Sequence, residues 1–239
     1  MDVKNAWDHR KLINGEHPIW KGEWKIDEKV GGLIFVNEKK IADQKGVLKF
    51  ILGQISKNIL SGKSITNISL PVDIFSTKSI LEVLAECLAY APILFDKLAS
   101  QENPNSVDLV KAVTAFGITM SVLYLDMEKP FNPVLGETFQ CFIQGCPVYA
   151  EQIFHHPPIS AFMMYGKRYR ITAQLESKVD LGMNSGCGSN EGVTRVEFFN
   201  SKGKITNTIY FCGPGGEVSG LAYGDRKFNI VGKCIFLLI

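Results

Sequence analysis

The 239-residue chain has six cysteines and no Cys-x-x-Cys pair, so the usual spacing of a structural zinc site or a dithiol redox centre is missing. It also lacks an apolar leader, because Asp2, Lys4, Asp8, His9, Arg10 and Lys11 interrupt the first residues. No run approaches the roughly 20 apolar residues that span a bilayer. Charge of one sign is scarce. Twenty-six basic residues face 24 acidic ones for a net +2, and the Lys and Arg are scattered, which argues against a nucleic-acid surface. Weak contact with an anionic membrane stays open. These absences describe a cytoplasmic globular protein with reduced thiols. What is abundant is apolar material: 46% hydrophobic residues with 15 Phe, enough for a sizeable core.

Residues 1–45 are mixed in character and read as an N-terminal extension, with Leu33–Val36 as a short strand. From Gly46 to Leu60 the apolar residues recur at steps of three and four, which predicts an amphipathic helix over about 46–61. Ile65–Val72 alternates and reads as extended backbone. Ser76 or Thr77 is expected to cap a helix starting near Lys78, with Pro92 bending or ending it, and a further helix is expected over about Ser106–Leu125. From about residue 134 the texture changes to short β-rich segments near 134–143, 147–154, 160–165, 168–177, 193–199, 204–211, 216–222 and 227–235. Gly182–Gly192 reads as a loop between strands. Helices followed by short strands in series predict an α+β, mainly β chain ending in an antiparallel barrel or sandwich. The last residues, Cys234–Ile239, stop in mid-strand with an apolar edge.

Two segments carry chemistry. In Lys129-Pro130-Phe131-Asn132-Pro133-Val134-Leu135-Gly136-Glu137 the two prolines fix φ and hold Lys129 and Asn132 out of helical geometry. The bland alternative is a connector with a solvated lysine. In Glu151-Gln152-Ile153-Phe154-His155-His156-Pro157-Pro158-Ile159-Ser160 neighbouring strand residues point to opposite faces, so two adjacent histidines chelate one metal poorly. Two imidazoles and a lysine do make a polydentate grip for a phosphate monoester. Here the alternative is a strand end with two half-exposed histidines. Gly62-Lys63-Ser64 lacks the first glycine and the preceding strand of a P-loop, Ser160 and Cys141 lack a nucleophile elbow, and Cys141 and Cys146 lack metal spacing.

Lys129–Gln140 (KPFNPVLGETFQ) and Glu151–Phe162 (EQIFHHPPISAF) closely resemble the oxysterol-binding protein-related family of lipid carriers. Phe154 stands where that family more often has Ser. Weaker matches run through Ile68–Val72 and the helix around Ser79–Phe95, and the resemblance covers about residues 46–235. It implies an incomplete β-barrel around a lipid tunnel, with 46–239 as the lipid-binding domain and the 46–61 helix as its lid. It also implies exchange of phosphatidylinositol 4-phosphate against a sterol or phosphatidylserine, with no catalytic residue, cofactor or metal. The protein would touch membranes transiently, as a peripheral protein at membranes or membrane contact sites. Lys129, His155 and His156 match headgroup-phosphate ligands; Asn132 belongs with them, and Glu137 with the supporting shell. The family continues past this point to supply a further Lys, Glu and Arg, so the C-terminal part of the domain is expected to be missing. Two other readings stand beside this one: a lipid sensor without net transport, and a lipid-directed hydrolase using His155, His156, Glu137 and Glu151.

Overall fold

The computed structural model describes residues 23–29, 33–46, 50, 72, 75–121, 128–182 and 184–239. Nearly all of the expected lid helix and the Ile65–Val72 segment lie outside them. The strands, in chain order, are β1 (Trp24–Ile26), β2 (Leu33–Phe35), β3 (Phe75–Ser79), β4 (Lys129–Phe131), β5 (Thr138–Ile143), β6 (Cys146–His155) and β7 (Pro158–Tyr165). They continue with β8 (Tyr169–Leu181), β9 (Ser185–Asn190), β10 (Thr194–Phe199), β11 (Ile205–Cys212), β12 (Gly215–Ser219), β13 (Lys227–Val231) and β14 (Ile235–Leu238). Helix α1 spans 38–46; α2 (Ile80–Cys87), α3 (Ala91–Ala99) and α4 (Ser106–Thr119) follow β3.

Twelve strands form one antiparallel sheet, while β3 and β4 pair parallel to each other. The long β8 is the hub. One edge pairs with β7, and the sheet continues through β6 to β5. The other edge pairs with β10 over its first half and β9 over its second. Beyond these, β11 and β14 extend the first half, and β12, β13, β2 and β1 extend the second. The chain is thus mainly β and antiparallel, as expected, and the pairing path among the described residues ends on β5, β14 and β1 without closing.

Alternation decides which face is covered. On β5–β8, Cys141, Ile143, Val148, Ala150, Phe162, Met164, Ile171, Ala173 and Leu175 point to one side and are buried. They form a single core with Leu81, Leu84, Leu88, Phe95, Leu109 and Phe116 of the helical segment. Phe95 is its centre, meeting Phe116, Tyr169 and Phe198 edge-on at 5.3, 5.3 and 5.6 Å. The opposite face is polar, with buried Glu197 held by Arg170 at 2.6 Å and Arg195 at 3.4 Å. Two larger concavities, of about 630 and 510 Å³, are open surface grooves. A more enclosed cavity between Met120, Phe162, Leu175 and Phe211 holds about 20 Å³.

Several local expectations need correction. Ser76 and Thr77 do not cap a helix: they belong to β3, drawn into pairing with β4, and Ser79 occupies the N-cap position without a side-chain bond. Pro92 neither bends nor ends a helix, since its missing N–H is harmless at the first turn of α3, which follows a 3₁₀ turn at Leu88–Tyr90. Helix α4 starts as expected, with Asn105 Oδ1 accepting from Val107 N at 2.9 Å, and ends at Thr119. Gly182–Gly192 is not a loop throughout; its middle is β9. The 227–235 segment divides at Gly232, whose φ of +90° breaks it into β13 and β14.

Candidate functional site

The β6–β7 hairpin carries His155 and His156 at its tip, and the tip is shaped by an irregularity. From Val148 to Gln152, β6 pairs residue for residue with β7, Gln152 opposite Ser160. The next partner of Ile159 is Phe154, so Ile153 is an inserted residue, a β-bulge. A bulge leaves backbone groups unpaired, and here a side chain takes one up. The fully buried Gln152 donates from Nε2 to the Phe154 carbonyl at 2.8 Å, and its Oε1 accepts from Ser160 Oγ at 2.5 Å. Both polar side chains are satisfied inside an otherwise apolar layer, as burial demands. Neither had been singled out as functional from the sequence. The only signal was a Gln three residues before a histidine pair, on the strand's buried phase.

Past the bulge the rings of His155 and His156 lie 4.6 Å apart and 60° to each other. The His156–Pro157 peptide is cis, and Pro158 opens β7. His156 is exposed and His155 half-buried. The Nδ1 atom of His155 is buried and has no hydrogen-bond partner in the structure.

The Lys129 segment reaches the same end of the sheet. Gly136 N donates to the Gln152 carbonyl at 2.9 Å, and Gln152 N donates to the Glu137 carbonyl at 3.0 Å. The two motifs are therefore hydrogen-bonded neighbours across β5 and β6. Glu137 closes the turn: its N–H donates to the Val134 carbonyl at 3.0 Å, and its Oε2 accepts from Val134 N at 3.1 Å. Gly136 supplies the φ of +80° that the turn requires. Asn132 is exposed in the preceding loop.

Lys129 lies on β4, which pairs with β3. Its Nζ stands 4.8 Å above the Phe75 ring and donates a long bond of 3.4 Å to the Pro130 carbonyl. Phe75 itself stacks on Phe131 at 5.1 Å. Partial burial against these surfaces lowers the lysine's pKa from its ordinary value, although the residue as a whole is exposed. Helix α2 packs against β3 through β7, so the lysine's strand and the histidine hairpin share one support. Of the five expected site residues, His155 and His156 stand together at the hairpin tip and Glu137 is bonded through its backbone to Gln152, three residues before them, while Asn132 lies in the loop that leads to the Glu137 turn and Lys129 on β4, which pairs with β3. Glu151, the remaining carboxylate of the hydrolase reading, is exposed on the polar face. No three His, Cys, Asp or Glu side chains among the described residues are grouped to hold a metal ion.

A family model for the oxysterol-binding protein matches residues 50–236. The chain belongs to this family. It is 32% identical over 209 residues to Oxysterol-binding protein 9 of Dictyostelium discoideum, covering 86% of this chain and 47% of that one. Human Oxysterol-binding protein-related protein 3 is 39% identical over 104 residues, 42% of this chain and 11% of its own. Among solved structures, the Saccharomyces cerevisiae Osh3 ORD in complex with PI(4)P superposes with a TM-score of 0.64 at 27% identity, covering 78% of this chain and 49% of that one. The Osh1 ORD domain in complex with ergosterol gives 0.62 at 26% identity, covering 72% of this chain and 41% of that one. The chain thus spans about half of the Osh3 domain and of the Dictyostelium relative. Family members of this kind bind lipids, and the β5–β8 scaffold is the part that carries the histidine hairpin.

Proposed function

We propose that the protein binds phosphatidylinositol 4-phosphate through its headgroup and exchanges it against a second lipid, a sterol or phosphatidylserine, between membranes. The observation that carries this reading is the histidine pair at the bulged tip of β6, with the exposed His156 ring 4.6 Å from that of half-buried His155. A phosphate oxygen at the tip would accept a charge-assisted hydrogen bond from each imidazole. Lys129 adds a cation already partly stripped of water. Asn132 offers a neutral donor beside it, and Glu137 acts indirectly by fixing the turn against Gln152. The Osh3 relative crystallised with PI(4)P and the Osh1 relative crystallised with ergosterol support the two ligand classes.

Transport follows from energetics. A diacyl lipid carries on the order of 30 methylenes at ~0.8 kcal/mol each, so passage through bare water costs roughly 20–25 kcal/mol. A carrier that covers the chains removes most of that barrier. Two lipids competing for one cover let the gradient of either drive the other. The 46–61 segment, which the sequence predicts as an amphipathic helix and which lies almost wholly outside the described residues, is what we assign as the cover, and the cytoplasmic face of membranes is where such a carrier would work.

A second reading is headgroup binding without net transport. Liposome transfer assays separate the two. Purified protein is expected to move fluorescent phosphatidylinositol 4-phosphate from donor to acceptor vesicles, and H155A/H156A to lose at least about tenfold in rate, as befits the loss of one or more charge-assisted bonds. Binding without transfer selects the sensor reading. Wild-type transfer by H155A/H156A contradicts the site.

A further inference from the structure

The bulge that shapes the histidine tip also changes what surrounds it. In regular alternation Phe154 shares the phase of Val148, Ala150 and Gln152, all turned to the helix-covered side. The inserted Ile153 reverses that phase, and two consecutive apolar side chains come out to solvent, Ile153 at 41% and Phe154 at 49% exposure. The turn bonded to Gln152 presents two more, Val134 at 65% and Leu135 at 63%. Four large apolar side chains therefore stand exposed on two hydrogen-bonded segments, one of which runs directly into His155. Their backbones are held in place, Ile153 and Phe154 by the Gln152 and Ser160 bonds, Val134 and Leu135 by Glu137. Exposed apolar clusters on a rigid support mark contact surfaces.

We propose that Val134, Leu135, Ile153 and Phe154 form a bilayer-contact patch that seats the His155–His156 tip on the membrane from which the headgroup is taken. The proposal rests on the headgroup reading above, and that reading selects the occupant. A headgroup phosphate is offered at a lipid surface, so whatever borders its site meets that surface during capture. Valine, leucine, isoleucine and phenylalanine at the rim enter the headgroup–acyl boundary and release water there. Lys129, exposed on β4, adds attraction for anionic lipid.

Flotation of the full chain with phosphatidylcholine vesicles, with and without phosphatidylinositol 4-phosphate, tests the patch. Titration with glycerophosphoinositol 4-phosphate, a headgroup without acyl chains, tests the site separately. V134S/L135S and F154S are each expected to lower vesicle partitioning by about tenfold, the loss expected from one large or two smaller partly buried apolar side chains, and to leave the soluble headgroup's affinity within about twofold. H155A/H156A is expected to lose the soluble headgroup. Vesicle binding unchanged in both V134S/L135S and F154S overturns the proposal. So does parallel loss of vesicle and soluble-headgroup binding, which would make the segment part of the pocket wall. If the wild-type chain ignores the soluble headgroup, the headgroup reading fails on its own, and partitioning to plain phosphatidylcholine vesicles still decides the patch.

Discussion

Strand β6 is built in two different ways along its length. From Cys146 to Glu151 it pairs in unbroken register with β5, and its alternation buries Cys146, Val148 and Ala150 in a core shared with three helices. From Gln152 to His155 register with β7 slips, and order depends on one glutamine, one serine and one turn glutamate. The first stretch is specified many times over by apolar packing, which tolerates the loss of any single contact as a local energy cost. The second is specified by a few polar bonds, each without a substitute. A rigid core thus carries a tip whose shape can be altered by one side chain without unfolding the sheet.

The largest effect expected from this contrast is on the core side. Phe95→Ala removes a fully buried ring that meets three other aromatics, and should cost about 3–5 kcal/mol in chemical denaturation. Lipid-headgroup affinity at a temperature where the variant is folded should change little. An equal loss of both would mean that core and tip are not separable. Gln152→Ala comes next. It orphans the Phe154 carbonyl and Ser160 Oγ at once, so about 1–3 kcal/mol of stability is expected to go together with most of the headgroup binding. Ser160→Ala leaves the Gln152–Phe154 bond intact and should cost about 0.5–1.5 kcal/mol with a smaller binding loss. If the two variants bind like wild type, the bulge is not what aims His155.

The smallest effect concerns pH and belongs to the core side. Burial pushes the Tyr90 hydroxyl up from 10.0 to about 12, and burial pushes Tyr169 higher still. Between those values the unfolded chain loses phenolic protons that the folded chain keeps. Folding stability therefore falls as pH rises above 10, through about 12. Denaturation midpoints measured across that range should decline less steeply for Tyr90→Phe. A slope unaffected by the substitution would contradict the assignment.

The sequence made the core side legible because its signal is periodic. Val148, Ala150, Phe162, Met164 and Ile171 alternate cleanly, and α4 begins at the Asn105 cap that its sequence announces. The site was legible as residue types, His155, His156 and Lys129, but not as geometry. A one-residue insertion at Ile153 has no compositional mark, and it decides where Phe154 and both histidines point. Strand β9 escaped for a different reason. Ser185–Asn190 carries no apolar alternation, and the neighbouring β12 approaches it through a glycine: a Cβ on Gly215 would lie 2.7 Å from the Gly188 carbonyl oxygen. The bulge is set by hydrogen-bond pairing within the β6–β7 hairpin and β9 by its pairing with the distant β12, and neither pairing leaves an apolar period in the sequence.

The central claim is that the His155–His156 tip holds a phosphate. It is tested most directly by NMR of ¹⁵N-histidine-labelled protein titrated with glycerophosphoinositol 4-phosphate. The imidazole signals of His155 and His156 should shift together along one saturating curve while His9 and His17 stay in place. Movement of His9 and His17 with the tip pair silent, or no saturable shift at all, would contradict the account.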